Sequence, residues 1–236
     1  PRKIARIRAT EYVSEDKLFS EGGLGVDHII SPEQIVTTEL QRLIERPGAL
    51  QVLDFANGRI QLVAIKAYHD GPLVGHHLRA LKDHLSNIET RVVAIYREGE
   101  AIMPDGDTVI EDNDEVFFIA ATEHIRDVMS EMRKLDKPVR TIMIAGAGTM
   151  GFRLAEALEQ KNYQVKLIEH SPERATEVSK HLKRTIVLVG DSADEELLRM
   201  ENIDKMDVFC AITNDDEANI LSAMLAKQLG ARRVMS

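Results

Sequence analysis

From residue 141 to the end, short apolar runs alternate with amphipathic stretches in a regular rhythm. The runs predict strands at 141–145, 164–169, 185–189, 207–212 and 232–235. Helical periodicity fits between them at 149–160, 172–183, 193–200 and 215–229, with Gly230 placed as a C-terminal cap. Strands separated by helices of this length imply α/β architecture with a parallel, doubly wound sheet.

The pattern upstream is different. Apolar runs at 50–56 and 60–68 flank Asn57-Gly58, a pair suited to the positive φ angles of a tight primed turn, and predict a β-hairpin. After Gly71-Pro72 a helix is predicted over 73–85, then strands at 91–96 and 115–120 around the turn Pro104-Asp105-Gly106-Asp107, then a helix over 122–135. This mixture describes a small α+β module. Ahead of it, residues 2–8 read as a strand, followed by the Gly-rich Glu21-Gly22-Gly23-Leu24-Gly25 and a short strand at 26–30. A helix to about Glu45 should start with Ser31 as N-cap, Pro32 at the first helical position and Gln34 closing a capping box; Pro47-Gly48 ends it. With a second boundary at Lys137-Pro138, the chain divides into residues 1–46, 47–137 and 138–236. Ala231-Arg232-Arg233-Val234-Met235 also repeats the basic pair and apolar run of Pro1-Arg2-Lys3-Ile4-Ala5, so the chain's end replays its beginning.

Composition narrows the classes. Hydrophobic residues make up 44% and charged residues 29%, a globular balance. A net charge of −9 argues against nucleic acid, which demands a concentrated basic surface. The longest apolar run, 116–121, falls far short of the roughly 20 residues a spanning helix needs, and no signal-peptide pattern opens the sequence. One cysteine, Cys210, rules out an internal disulfide and fits a reducing compartment. A cytoplasmic protein that reaches a membrane only through a partner is therefore expected.

Chemistry concentrates in the last segment. Gly146-Ala147-Gly148-Thr149-Met150-Gly151 matches G-x-G-x-x-G between an apolar strand and a helix. In that context the first glycine permits the tight turn, the second lets a pyrophosphate approach the backbone, and the third lets helix pack on strand. The helix N-terminus offers N–H groups to phosphates. Glu169, beside His170, ends the second strand, where a carboxylate accepts hydrogen bonds from both ribose hydroxyls and repels a 2′-phosphate. NAD or NADH is thus expected over NADP, although Arg174, one turn into the next helix, is a candidate partner for the extra phosphate. Gly190-Asp191-Ser192 follows the third strand at the height of an adenine, with Asp191 or Ser192 as a plain helix cap the alternative. Thr213-Asn214-Asp215-Asp216-Glu217-Ala218-Asn219 follows the fourth, where Thr213 and Asn219 can reach phosphate or ribose. Asp215, Asp216 and Glu217 suit a first helical turn without any further function.

Other candidates read as structural. His76, His77 and His84 fall near one predicted helix without a carboxylate or thiolate to complete a metal set. Cys210 lies inside an apolar strand and reads as a small buried hydrophobe. The acids Asp105, Asp107, Glu111, Asp112, Asp114 and Glu115 lack calcium-loop spacing and read as turn and strand-edge solvation, with weak cation binding the alternative. No catalytic set and no metal set is identified.

Taken in order, these pieces resemble the regulatory subunits of bacterial Trk potassium-uptake systems, the RCK family of duplicated nucleotide-binding domains. The resemblance rests on Ala5-Arg6-Ile7-Arg8 and Gly25-Val26-Asp27-His28-Ile29-Ile30-Ser31-Pro32-Glu33 in the first segment. In the second it rests on Pro72-Leu73-Val74-Gly75, Val93-Ala94-Ile95-Tyr96-Arg97, Pro104-Asp105-Gly106-Asp107-Thr108 and Asp114-Glu115-Val116. The third carries the glycine fingerprint, Glu169, Gly190-Asp191 and the 213–219 stretch. It implies that residues 1–46 are the tail of one Rossmann domain, 47–137 a small α+β regulatory domain, and 138–236 a second, incomplete Rossmann domain. The first Rossmann domain lacks its glycine loop here and the second stops at its fifth strand, as in an excerpt from a longer protein.

The resemblance further implies a homo-oligomeric ring, peripheral at the inner face of the membrane on a potassium transporter subunit. There a bound nucleotide, NAD or NADH with ATP or ADP at the same site, would bias the transporter. The alternative is an NAD-dependent oxidoreductase, which requires an acid/base group at the nicotinamide and a substrate domain after the Rossmann fold.

Overall fold

A computed structural model describes residues 3–7, 25–134 and 137–236, and divides the chain into two compact units, Pro1–Gln41 with Val139–Ser236 and Arg42–Pro138. The Gly-rich expectation at Glu21–Leu24 and the ends of the predicted strand at 2–8 and helix at 122–135 lie outside the described residues. The first unit opens with β1 (Ile4–Arg6) paired in parallel with β2 (His28–Ile30). Helix α1 (Pro32–Glu45) follows, with Pro32 at its start. The expected Ser31 cap is not formed: its hydroxyl is buried without a hydrogen-bond partner, and the first turn is closed instead by Ile35 N–H donating to the Ser31 carbonyl at 3.0 Å.

The rest of that unit is a five-stranded parallel sheet. Its strands are β8 (Thr141–Ala145), β9 (Gln164–Glu169), β10 (Ile186–Val189), β11 (Val208–Ala211) and β12 (Arg233–Met235), in the order β10-β9-β8-β11-β12. Helices α4 (Thr149–Gln160), α5 (Pro172–Ser179), α6 (Glu195–Met200) and α7 (Asp216–Gln228) connect them. The fold class is the expected doubly wound α/β sheet. Strand order reverses between β8 and β11, the switch point beside which ligands of open α/β sheets bind. Ile142, Met143, Ile144, Phe209 and Cys210 are fully buried, as strands covered on both faces require. Burial pushes the Cys210 thiol up to about 12, so it behaves as an inert core residue. Side-chain caps start α5 and α6: Ser171 accepts from Arg174 N–H at 3.2 Å, and Asp194 accepts from Glu196 N–H at 2.9 Å.

Two buried carboxylates close the sheet's other end. Asp207 Oδ2 accepts from the N–H groups of Arg140 (2.6 Å) and Thr141 (3.0 Å), and Oδ1 meets Arg232 at 2.8 Å. Burial pushes this carboxyl up, but those donors outweigh it and hold it below the usual carboxylate range. Glu159 is treated likewise: burial is outweighed by N–H groups of Arg184, Lys183 and Thr185 and by the Thr185 hydroxyl.

The second unit is an antiparallel sheet of β3 (Ala49–Phe55), β4 (Ile60–Lys66), β5 (Thr90–Arg97), β6 (Glu100–Ile102) and β7 (Glu115–Ala121), in the order β3-β4-β7-β5-β6. The predicted hairpin forms, with Ala56, Asn57 and Gly58 all at positive φ. Helices α2 (Leu81–His84) and α3 (Ile125–Met132) complete the unit. The helix expected over 73–85 is reduced to a 3-10 turn at Leu78–Ala80 and the four residues of α2. Residues 73–77 form turns, with His76 N–H donating to the Leu73 carbonyl at 3.1 Å, Val74 bridging Ile110 and His77 bridging Val109, and Gly75 at φ +84° breaks the helical pattern. His76 and His77 therefore share no helix with His84. Nδ1–H of His77 donates to the Asp107 carbonyl at 2.6 Å, and His84 pairs with Glu131 at 2.6 Å. The acidic turn is also internally satisfied: Asp105 Oδ1 accepts from Asp107 N–H, Thr108 N–H and the Thr108 hydroxyl, while buried Asp114 pairs with Arg97. Among the described residues no group of three His, Cys, Asp or Glu side chains is arranged to hold a metal ion.

Candidate nucleotide site

The C-terminal ends of β8, β9, β10 and β11 converge on a cavity of about 660 Å³, within the range of small-molecule sites. Gly146, Gly148, Thr149 and Met150 form one wall, at the turn from β8 into α4. Gly146 has φ +101°, and a Cβ there would lie 3.0 Å from Thr213, so this turn needs glycine. A Cβ on Gly151 would run into the Gly146 carbonyl oxygen, which is how the third glycine lets α4 start against the strand. Gly148 is the opposite case: it is exposed, and a Cβ there would meet no atom within 4 Å. The space above its backbone is open, at the N-terminus of a 12-residue helix. That is the cradle a phosphate requires.

Glu169 and His170 form the second wall, at the end of β9. The Glu169 side chain is only 14% exposed and is held by backbone. Its Oε2 accepts from Ala147 N–H at 2.8 Å and its Oε1 from Ser171 N–H at 2.9 Å. Beside it, Arg174 Nε donates to the Ala147 carbonyl at 2.9 Å, and Arg174 Nη1 pairs with Glu177 at 2.7 Å. His170 is 89% exposed at the rim.

Gly190, Asp191 and Ser192 line the third side, after β10. Asp191 accepts from Ala193 N–H at 2.8 Å, while the cap of α6 is Asp194, two residues beyond the alternative weighed from sequence. The fourth side carries Thr213, Asn214, Asp215 and Ala218. Asp215 caps α7 by accepting from Ala218 N–H at 3.0 Å. Of the residues singled out from sequence, Gly146, Gly148, Thr149, Met150, Glu169, His170, Gly190, Asp191, Thr213 and Asn214 share the cavity wall, together with Arg174, Ser192 and Asp215. Ala147, Gly151 and Asn219 stand behind it, buried.

Three wall residues, Glu33, Ile168 and Ile212, were not singled out as ligand contacts. Glu33, at the start of α1, lines the cavity, and its Oε2 is buried without a hydrogen-bond partner. Its acidic first-turn position reads as ordinary dipole complementarity, so the sequence held no signal for it.

Known families and proteins agree with this geometry. The TrkA-N domain family matches residues 142–236, and the TrkA-C domain family matches residues 62–133. The "Trk system potassium uptake protein TrkA" of Vibrio alginolyticus is 56% identical over all 236 residues, which cover 51% of its length. The protein of the same name from Haemophilus influenzae is 48% identical with the same coverage. The chain thus carries a TrkA-N domain and, before it, a TrkA-C domain. It spans about half the length of these curated relatives. Among solved structures, the GsuK channel superposes with a TM-score of 0.60 at 16% identity, covering 100% of this chain and 44% of that one. The GsuK RCK domain gives 0.58 at 17%, covering 100% and 53%. The same channel has been solved bound to NAD, with a TM-score of 0.58 at 16% identity, covering 100% and 44%. This chain carries a doubly wound parallel sheet and an antiparallel unit, and none of its described helices is long and apolar enough to cross a membrane.

Proposed function

We propose that this chain is a nucleotide-sensing regulatory segment that binds NAD or NADH, with ATP or ADP competing for the same cavity. The observation that carries this reading is the pairing of an open Gly148 cradle with a Glu169 carboxylate held beside it. Gly146, Gly148, Thr149 and Met150 would hold phosphates, Glu169 and His170 a ribose, Gly190 and Asp191 an adenine, and Thr213 with Asn214 the remaining edge. Ala147, Gly151 and Asn219 would act from behind. A dinucleotide bound this way supplies no chemistry: its role is to favour one arrangement of the protein over another. The NAD-bound state of the GsuK channel supports the choice of dinucleotide.

The relatives' name, potassium uptake protein, supports a membrane potassium transporter as the partner. In this reading residues 1–46 are the tail of one Rossmann domain, 47–137 a regulatory domain and 138–236 a second Rossmann domain, cytoplasmic and peripheral at the membrane through that partner. Self-association is part of the reading. It is supported by the outer face of α7, where Ile220, Leu221 and Met224 are 54%, 62% and 64% exposed.

Titration calorimetry with NAD, NADH, ADP and ATP, run beside a spectrophotometric assay of NADH turnover, tests the reading. Saturable binding without turnover is expected. Turnover with a small substrate would replace the regulator by an oxidoreductase, and no binding of any of the four would end the nucleotide reading.

A further inference from the structure

Resting on the nucleotide reading above, we infer that Arg174 is a positioning residue for the phosphate cradle, aiming the Gly148 amide by gripping the Ala147 carbonyl. The alternative role for an arginine at this place is to meet a 2′-phosphate on the ribose. Its observed bonds favour the first role. Nε donates to the Ala147 carbonyl at 2.9 Å, and Nη1 is held by Glu177 Oε2 at 2.7 Å. The guanidinium is thus fixed from one side by its own helix and fixes the glycine turn on the other.

The consequence follows from peptide geometry. The Ala147 carbonyl and the Gly148 N–H belong to one planar peptide unit, and no peptide bond among the described residues is cis. In a trans peptide the C=O and N–H point in opposite directions. Holding the oxygen against Arg174 therefore directs the Gly148 N–H away from it. The preceding peptide is held independently, because Glu169 Oε2 accepts the Ala147 N–H at 2.8 Å. Ala147 itself is 0% exposed, so its methyl group is locked as well.

This clamp answers a specific need. Gly148 has no side chain, and a Cβ there would touch nothing, so the turn has no packing of its own to orient it at the point where a phosphate would approach. An unclamped glycine has the widest conformational freedom of any residue, and ordering it on binding would weaken affinity. Two side chains from β9 and α5, of opposite charge, remove that freedom before the ligand arrives. Arginine suits the task because its planar fork bonds the turn and Glu177 together, and lysine's single ammonium cannot reproduce that geometry.

The test compares ADP, NADH, NADPH and adenosine binding by the unaltered chain and by Arg174→Ala, Arg174→Gln and Arg174→Lys, with melting temperature measured on each. Positioning predicts that Arg174→Ala weakens ADP and NADH about tenfold, leaves adenosine affinity unchanged, and leaves NADPH no more affected than NADH. Arg174→Lys should recover only part of the loss. In ¹⁵N spectra of the ligand-free protein, the Gly148 amide should move or broaden in all three variants. Unchanged ADP affinity in any folded variant overturns the inference. Equal losses for adenosine and ADP overturn it too, since they indicate collapse of the whole site. A loss confined to NADPH assigns Arg174 to the 2′-phosphate instead. Failure of the unaltered chain to bind ADP is a separate result, and brings down the nucleotide reading itself.

Discussion

Thr213 and Asn219 are joined by three hydrogen bonds across the turn that leaves β11. Asn219 Oδ1 accepts from the Thr213 N–H and from its hydroxyl, both at 2.8 Å, and Asn219 Nδ2 donates to the Thr213 carbonyl at 3.2 Å. Asn219 is 8% exposed, so these bonds replace water rather than compete with it. Truncating Asn219 to Ala should leave a Thr213 amide without this partner and cost about 1–3 kcal/mol. Chemical denaturation measures the loss; a change below about 0.5 kcal/mol would show that the turn stands without it.

The glycines of the fingerprint should separate by function. Val at Gly148 meets no protein atom with its Cβ, so Gly148→Val should fold with a near-normal melting temperature while losing NADH affinity by at least about tenfold. Ala at Gly151 places its Cβ on the Gly146 carbonyl, so Gly151→Ala should cost about 3 kcal/mol or more. A folded Gly148→Val that binds NADH normally would remove the cradle from the site.

Selectivity is expected to sit at Glu169. Its carboxylate should disfavour NADP, and because it also holds the Ala147 and Ser171 amides, Glu169→Gln is a cleaner probe than Glu169→Ala. The gap between NAD and NADP affinities should narrow by about tenfold in the glutamine variant, corresponding to roughly one lost charge–charge contact. Tight NADP binding by the unaltered chain would contradict this.

Acid stability should report Asp207. Its folded-state carboxyl lies below the ordinary carboxylate value, so its contribution is full above the unfolded pKa of about 3.9 and is lost as pH falls through the lower folded value. Asp207→Asn should therefore destabilise by about 1–3 kcal/mol near pH 7, and the difference from the unaltered chain should shrink below about pH 4. Melting curves from pH 7 to 3 give the comparison, and a difference independent of pH would exclude the linkage.

Self-association should appear at micromolar concentration in light scattering or sedimentation. Met224→Glu, on the 64% exposed face of α7, should weaken it by placing charge in an apolar contact. A monomer at all concentrations, with or without the substitution, would leave that face unexplained.

The amino-acid sequence alone determined the doubly wound sheet, because its apolar runs and amphipathic stretches alternate regularly and their periodicity is local. It also determined the glycine turn and Glu169, whose chemistry depends on a fixed offset from a strand end. It predicted too long a helix at 73–85 because apolar spacing there mimics a helix, while bridges to Val109 and Ile110, more than 30 residues away, hold residues 73–77 in turns instead. A capping box was legible at Ser31 and is not made, since burial of the hydroxyl depends on what packs over it. The placement of Glu33 in the cavity wall, the three bonds that turn Asn219 inward, and the Arg174 grip on Ala147 were decided only by the tertiary structure. Each joins groups on different elements, and side-chain direction across a turn is set by packing, which no local pattern encodes.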